Sequence, residues 1–332
     1  MENMDVLVNN ALKDLRRGIS YNAMLHKYAL SPLELDGLLE YLNLKGYELN
    51  IKENLDDKFI KLKNVHHNEK NVKADMNDLE HIKLMIISDT HMGSKLEQRT
   101  LINKMYEEAY RRGITTVLHC GDVVDGDYRN KRPAHPYDLF CQGASQQLAN
   151  VIDNYPKVEG IKTYFITGSH DETHFLNGGF KMGAGITERR DDLVFLGPNQ
   201  AMFYAGRARV PILIRHPGGG CSKSLSYKPQ EAINKIDEKT KPKILLMGHY
   251  HKSYCMYYND IYAILVPCLV DQTEFMKMND LQNVVGGVFL DLYVDKKGNI
   301  EYFNYDEVRY TNKDIVKNDY KTSKKLMIKR KQ

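Results

Sequence analysis

Asp89 and His91 stand two apart in "IISDTHMG", and His249 and His251 repeat that spacing in "LMGHYHK". Between the two pairs lie Asp122 and Asp125 in "LHCGDVVDG", His170 and Asp171 in "ITGSHDE", and His216 in "LIRHPGGG". Mixed carboxylate and imidazole donors suit Mn, Fe, Zn or Ni better than calcium or a thiolate-bound metal. In extended backbone, residues two apart point the same way, so each pair could offer two ligands from one short loop. Five of the 12 histidines, His91, His170, His216, His249 and His251, stand at these motif positions. Any one alone would pass for a surface or core histidine. The ordered series points to metal chemistry.

The elements that must position these residues are legible beside them. The motifs follow short apolar runs, "IKLMIIS", "TTVLHC", "KTYFIT", "PILIR" and "KILLMG", and "YAILVP" is a further run of this kind. Helical segments such as "LEQRTLINKMYEEAYRRG" and "SQQLANVIDNY" fall between several of them. That is the pattern of an α/β sheet flanked by helices, whose strand-end loops bind ligands. Near the end, "VVGGVFLDLYVDKKGNIEYFNYDEVRY" predicts an antiparallel hairpin turning at Lys297-Gly298-Asn299, so the domain is mixed rather than purely parallel.

The series DTH, GDVVD, GSHD, a lone His and GHYH resembles the calcineurin-like metallophosphoesterases, whose pattern is DxH, GDxxD, GNH(D/E), His and GHxH. The resemblance covers about residues 82–310. It implies a four-layer α/β/β/α sandwich with two divalent metal ions at one edge of the sheets, Mn foremost and Fe, Zn or Ni as alternatives. Carried over by position, it implies that Asp89, His91, Asp122 and His251 hold the first ion. Asp122 would bridge to a second ion that also takes His216 and His249. His170 matches the histidine that contacts the scissile phosphate or protonates the leaving oxygen, with Asp171 expected to orient it and Asp125 to brace the loop. Where the family has the Asn of GNH, this chain has Ser169, a shorter and poorer ligand, so a weaker second site is expected. Paired cations activate water and clamp phosphate oxygens for in-line attack, which makes metal-dependent hydrolysis of a phosphoric ester the expected reaction.

Residues 1–64 read as a small winged helix-turn-helix, joined through a polar linker at 65–81. A first helix is expected over 4–17 and a second around Tyr21–Tyr28. A third is N-capped by Ser31, with Pro32 first, Glu34 at the capping-box position and Gly46 at its end. Leu33, Leu38, Leu39 and Leu42 are its expected buried stripe. "YELNIKENLDDKFIKLK" then alternates as a hairpin wing, broken at Asn54–Asp57. DNA readers of this class use the third helix. Here it carries Glu34, Asp36 and Glu40 with only Lys45 near its end, and residues 1–63 hold nine basic and ten acidic groups. Phosphate contact needs Lys and Arg, so a structural or protein-docking role is expected first.

The net charge of +4 is unevenly placed: residues 311–332 hold eight Lys/Arg against two Asp, leaving −2 for the rest. This basic C-terminal tail is read either as solvated or as a nucleic-acid contact. With 42% hydrophobic residues and no run near the roughly 18 apolar residues of a membrane span, the chain is read as globular and off the membrane. Acidic residues stand at the N-terminus where an export signal would be basic, and the five scattered cysteines never form CxxC. Disulfide scaffold and zinc ribbon are thereby disfavoured, and a cytoplasmic location is expected.

For substrate, "SDTHMG" and the wide GD motif resemble the double-strand-break repair nucleases of SbcD type, and a phosphodiesterase or nuclease acting on DNA or RNA is the favoured reading. The alternatives are a phosphodiesterase or phosphatase for small nucleotides, and a catalytically weak docking subunit of a nucleic-acid-processing complex. The insertion 126–140, with Arg129, Lys131, Arg132 and His135, and the loop 216–228, with Lys223, are candidates to line a substrate groove. Expected partners are nucleic acid through the tail and winged helix, or a protein through the winged helix; the resemblance leaves room for a homodimer.

Overall fold

The computed structural model describes residues 2–45, 47, 49–53, 57–62 and 79–329. The chain divides into two compact units, Met1–Asp75 and Met76–Gln332. Gly46, the turn residues 54–56 and most of the expected linker lie outside the described residues.

The first unit runs α1 (Glu2–Arg17), β1 (Ile19–Ser20), α2 (Tyr21–Tyr28), α3 (Pro32–Leu44), β2 (Leu49–Glu53) and β3 (Lys58–Leu62), with its strands antiparallel in the order β1-β3-β2. At the start of α3 the Ser31 hydroxyl accepts from Glu34 N, and the Glu34 carboxylate accepts from Ser31 N at 2.8 Å. Leu35, Leu38, Leu39 and Leu42 face Leu15, Met24 and Ile60 in the core. One expected core residue is not there. Leu33 is 83% exposed, because the stripe that repeats at three and four residues begins at Leu35, and Leu33 falls across the helix from it.

The second unit continues through β4 (Glu80–Ile87), α4 (Arg99–Arg111), β5 (Thr116–His119), α5 (Gly143–Asn154), β6 (Lys157–Val158), β7 (Lys162–Thr167), α6 (Thr173–Gly178), α7 (Met182–Thr187), β8 (Leu193–Pro198), β9 (Gln200–Ala205) and β10 (Val210–Arg215). Then come α8 (Tyr227–Asn234), β11 (Ile244–Met247), β12 (Tyr254–Tyr258), β13 (Ile261–Leu265), α9 (Glu274–Met278), β14 (Val285–Val294), β15 (Ile300–Tyr310), α10 (Asp319–Thr322) and β16 (Met327–Ile328). One sheet has the order β15-β14-β4-β5-β7-β8, the other β12-β13-β11-β10-β9. Strands β4, β5, β7 and β8 are parallel in the first, and β10, β11 and β13 in the second. The remaining members of both sheets pair antiparallel, including the β14–β15 hairpin.

Strand periodicity builds the layers. In β4, Leu84 and Ile86 join Leu118, Ile166, Ile212, Ile214, Ile244 and Leu246 between the sheets. Met85 and Ile87 point the other way, onto Leu101, Met105, Val151 and Ile186 of α4, α5 and α7. Leu245 and Met247 of β11 pack likewise against Ala232 and Ile233 of α8. The result is helix, sheet, sheet, helix. Parallel strands covered on both faces read as unbroken apolar runs, which is why these were visible in the sequence.

The basic C-terminal segment is a strap rather than a solvated tail. Ile315, Leu326 and Ile328 pack on the outer core, and β16 pairs in parallel with β6. The Asp319 carboxylate accepts from Thr100 N and Oγ1, both at 2.6 Å, at the start of α4. Its apolar anchors are spaced among eight lysines and arginines, so composition hides them.

Candidate metal centre

Every predicted ligand lies just beyond the C-terminal end of a parallel strand. β4 delivers Asp89 and His91, β5 Asp122, β7 His170, β10 His216, and β11 His249 and His251. Hydrogen bonds stitch these loops together: Asp89 N to Gly121 O, His91 N to Asp122 O, and Leu269 N to Asp89 O, at 3.0–3.1 Å. The backbone is not extended here. Asp89, His91, Asp122, His249 and His251 all have left-handed φ, between 44° and 78°. The two pairs, expected to present their side chains from extended backbone, present them from left-handed turns instead. A sharp kink at each of these five turns its side chain inward, and such strain concentrates at functional sites. Gly168 completes the packing, since a Cβ there would lie 2.4 Å from Asp122 Oδ1 and 2.6 Å from His216 Cδ2.

The side chains form two sets. Asp89, His91 and His251 bring ligand atoms within 4.8 Å of one another, and so do Asp122, His216 and His249. A third such set, His91, Asp122 and His170, links them. Thus Asp89 and His91 do share a site, whereas His249 and His251 divide between two.

Their hydrogen bonds fix which ring nitrogen keeps its lone pair. His216 Nδ1 meets Cys120 O at 2.7 Å, and a carbonyl can only accept, so Nδ1 carries the proton. The Nε2 lone pair then faces Asp122 Oδ2 at 2.9 Å. His91 Nδ1 donates to the Asp125 carboxylate at 2.8 Å, which turns its Nε2 lone pair toward Asp89 Oδ1 (3.8 Å) and His251 Nε2 (3.3 Å). His249 Nε2 donates to Gly219 O at 2.7 Å, leaving Nδ1 as the ligand atom. Asp89 Oδ1 and His216 Nε2 are buried without a hydrogen-bond partner. Buried lone pairs aimed at one another are costly unless a cation lies among them. The residues fit divalent metal.

Charge agrees with this. Burial works against ionisation of Asp89 and Asp122, yet His251 beside the first and His216 beside the second hold both carboxyls below the ordinary range. Asp122 in turn pushes His216 up to about 9 against burial, so Nε2 takes a proton toward that carboxylate unless a cation claims its lone pair.

His170 is braced by Asp125 and not by Asp171. Its Nδ1 meets Asp125 O at 2.6 Å and Asp125 Oδ1 at 3.4 Å, while its backbone N–H donates to Asp122 Oδ1 at 2.7 Å. The Asp171 carboxylate, expected to orient His170, instead accepts the backbone N–H groups of Val123, Val124 and Gly168 at 2.8–3.1 Å. It ties the Asp122 loop to the His170 loop. Two residues of the insertion join the site: His135, expected to line a substrate groove, and Tyr128, which no motif marks. His135 is buried with Nε2 3.4 Å from Asp125 Oδ2, and the Tyr128 ring stands edge-on to His170 at 4.6 Å, its hydroxyl donating to Ser169 O. The Arg132 guanidinium stacks on the Tyr128 ring at 4.6 Å. Arg129 pairs with Asp127.

Residues 82–268 match the calcineurin-like phosphoesterase superfamily domain. The chain belongs to that superfamily. It is a metal-dependent phosphoester hydrolase. No curated protein matches the sequence. Solved structures similar to this phosphoesterase include an archaeal phosphodiesterase, at 13% identity over 69% of this chain and 100% of that one, with a TM-score of 0.40. Vps29 of Entamoeba histolytica complexed with zinc is similar at 14% identity over 69% and 100%, TM-score 0.31. A 5′-nucleotidase precursor of Thermus thermophilus is similar at 12% identity over 73% and 57%, TM-score 0.38. Among the described residues no helix is long and apolar enough to cross a membrane.

Proposed function

We propose that this phosphoesterase is a dinuclear-metal phosphodiesterase acting on DNA or RNA strands in the cytoplasm, with Mn as the working ion. The observation that supports the dinuclear reading is the pair of ligand sets, linked through the neighbouring His91 and Asp122, with their imidazole lone pairs turned inward by protein acceptors. Asp89, His91, Asp122 and His251 would hold one ion, and Asp122, His216 and His249 the other. Bound there, the ions supply positive charge to phosphate oxygens and lower the pKa of water, so no protein nucleophile is needed.

The chain's own residues do the rest. Asp125 fixes His91 and His170 through their Nδ1 atoms, so His170 can exchange a proton only at Nε2. Burial alone would lower the His170 pKa, but Asp122 and Asp125 raise it above the ordinary value; with Asp122 committed to metal, Asp125 is the carboxylate left to favour a proton for the departing alkoxide. Support for a nucleic-acid substrate comes from the strap, where Lys313, Lys317, Lys321 and Lys324 stay exposed although the backbone is docked. Lys223, exposed in the loop after His216, adds a cation near the second ligand set in sequence.

The test is Mn²⁺-dependent hydrolysis of a labelled single-stranded oligonucleotide beside mononucleotide substrates. The oligonucleotide should be cut, with KM rising steeply between about 50 and 200 mM salt and less steeply once Lys313, Lys317 and Lys321 are changed to Glu. Hydrolysis of mononucleotides alone, or a salt-independent KM, would instead make this a small-nucleotide enzyme. Charge reversal replaces truncation here, because removing the strap would also strip the outer core.

A further inference from the structure

We propose that the solvent face of α3 is a docking surface for a basic amphipathic helix of a partner protein. Leu33, Gly37, Tyr41 and Leu44 fall within roughly 80° of one another around the helix axis, opposite the buried stripe Leu35, Leu38, Leu39 and Leu42. Leu33 and Leu44 are 83% and 81% exposed, and Tyr41 is also on the surface. A lone exposed leucine is ordinary. Four positions in line, spaced four, four and three residues, form the ridge that helix–helix packing uses. Gly37 makes a notch in that ridge: nothing lies within 4 Å of where its Cβ would be. A side chain of a second helix could seat there between Leu33 and Tyr41.

Charge selects the occupant. Glu40 and, beyond it, Asp36 flank one edge of the stripe and Glu34 the other, and no Lys or Arg occurs within α3. Two of these acids are held in place. Glu34 is bonded to Ser31 N and Oγ, and Asp36 accepts the Tyr21 hydroxyl at 2.8 Å. An apolar seam between fixed carboxylates complements a helix with leucines along one face and lysines beside them. Nucleic acid is disfavoured, since three carboxylates line the stripe against Lys45, whose Nζ lies 5.5 Å from the Tyr41 ring centre. A second copy of α3 laid antiparallel would set Glu40 near its own counterpart, a like-charge contact. The inference concerns the first unit and does not rest on the hydrolytic reading.

The experiment uses the full chain and fluorescence anisotropy with a labelled helical peptide of leucine and lysine, leucines at i, i+3, i+4 and i+7. Controls are a scrambled isomer, a leucine–glutamate helix and a DNA duplex. The leucine–lysine helix should bind and the controls should not. Leu33→Ser with Leu44→Ser should weaken it about tenfold or more, and Glu40→Lys should weaken it less while flattening its salt dependence. Both leucines are exposed, so circular dichroism and Mn²⁺-dependent turnover should match the parent. Equal binding of the scrambled peptide, no binding at all, or preferential binding of the duplex would overturn the proposal. So would self-association, measured by light scattering, that disappears in the double serine variant.

Discussion

At the scale of single residues, the centre is made by hydrogen bonds that decide where protons may not be. Cys120 O, Asp125 and Gly219 O each take an imidazole N–H, and the opposite nitrogens are left for metal. The sequence displayed the ligands but not these partners, two of which are main-chain carbonyls with no residue signature. It also misassigned Asp171, because adjacency to His170 says nothing about where a carboxylate turns once the loop closes on Val123, Val124 and Gly168. Ser169 stands beside Gly168, which itself touches Asp122 and His216. Ser169→Asn should therefore tighten the weaker step of a calorimetric Mn²⁺ titration by several-fold, the first step holding; two unchanged steps would show that this position does not reach metal. Glu97 gives a pH prediction away from the ligands. Its carboxylate accepts from Gly93 N and Asn150 Nδ2 and pairs with Arg99, yet burial outweighs these and pushes its pKa up to about 7 from 4.5. A carboxyl raised in the fold favours the folded state most when protonated. Its contribution is full below pH 4.5 and is lost as pH rises through 7. Glu97→Gln should abolish that loss, so the melting temperatures of parent and variant should diverge by several degrees from pH 6 to 8.5, with roughly 2–4 °C for each kcal/mol. Parallel melting curves across that range would contradict it.

At the scale of elements, parallel strands buried on both faces announced themselves, and so did α2 and the capped start of α3. Strands β8, β9 and β12 did not, because their mixed burial breaks both the apolar run and the strict alternation. The strap was hidden for another reason. Its contacts are long-range, and a segment rich in lysine reads as solvated whatever its few apolar side chains do. Its most specific contact is electrostatic: α4 has no side-chain cap of its own, and Asp319 reaches the start of that helix from 219 residues away in sequence. Gln98 and Val316 exchange two further hydrogen bonds alongside. An acid at a helix N-terminus is worth about 1–2 kcal/mol when partly buried. Asp319→Ala should lower stability in urea by that amount or somewhat more, since Asp319 is fully buried. A variant as stable as the parent would show that the strap is held by its apolar anchors alone.

At the scale of the whole molecule, the ordered motif series was enough to place the second unit in its superfamily and to anticipate four layers. What it could not supply is the division of labour between the units. Leu33, expected in the core, proves to be surface, and with Leu44 it gives the first unit an apolar face in place of a basic one. The positive charge resides on the strap of the catalytic unit instead. Recognition of strands would then belong to the hydrolytic unit and recruitment to the helical one. The strand-recognising half of that division rests on the metal centre. The deciding measurement is Mn²⁺-dependent hydrolysis of bis-p-nitrophenyl phosphate, a bare diester that needs neither strap nor α3, with Asp122→Asn as the blank. Turnover that saturates with Mn²⁺ and falls at least a hundredfold in the variant is the result predicted, given that Asp122 belongs to the second ligand set and to the His91–Asp122–His170 set that links it to the first. No turnover at any Mn²⁺ concentration, or equal turnover in parent and variant, would contradict a dinuclear phosphodiesterase.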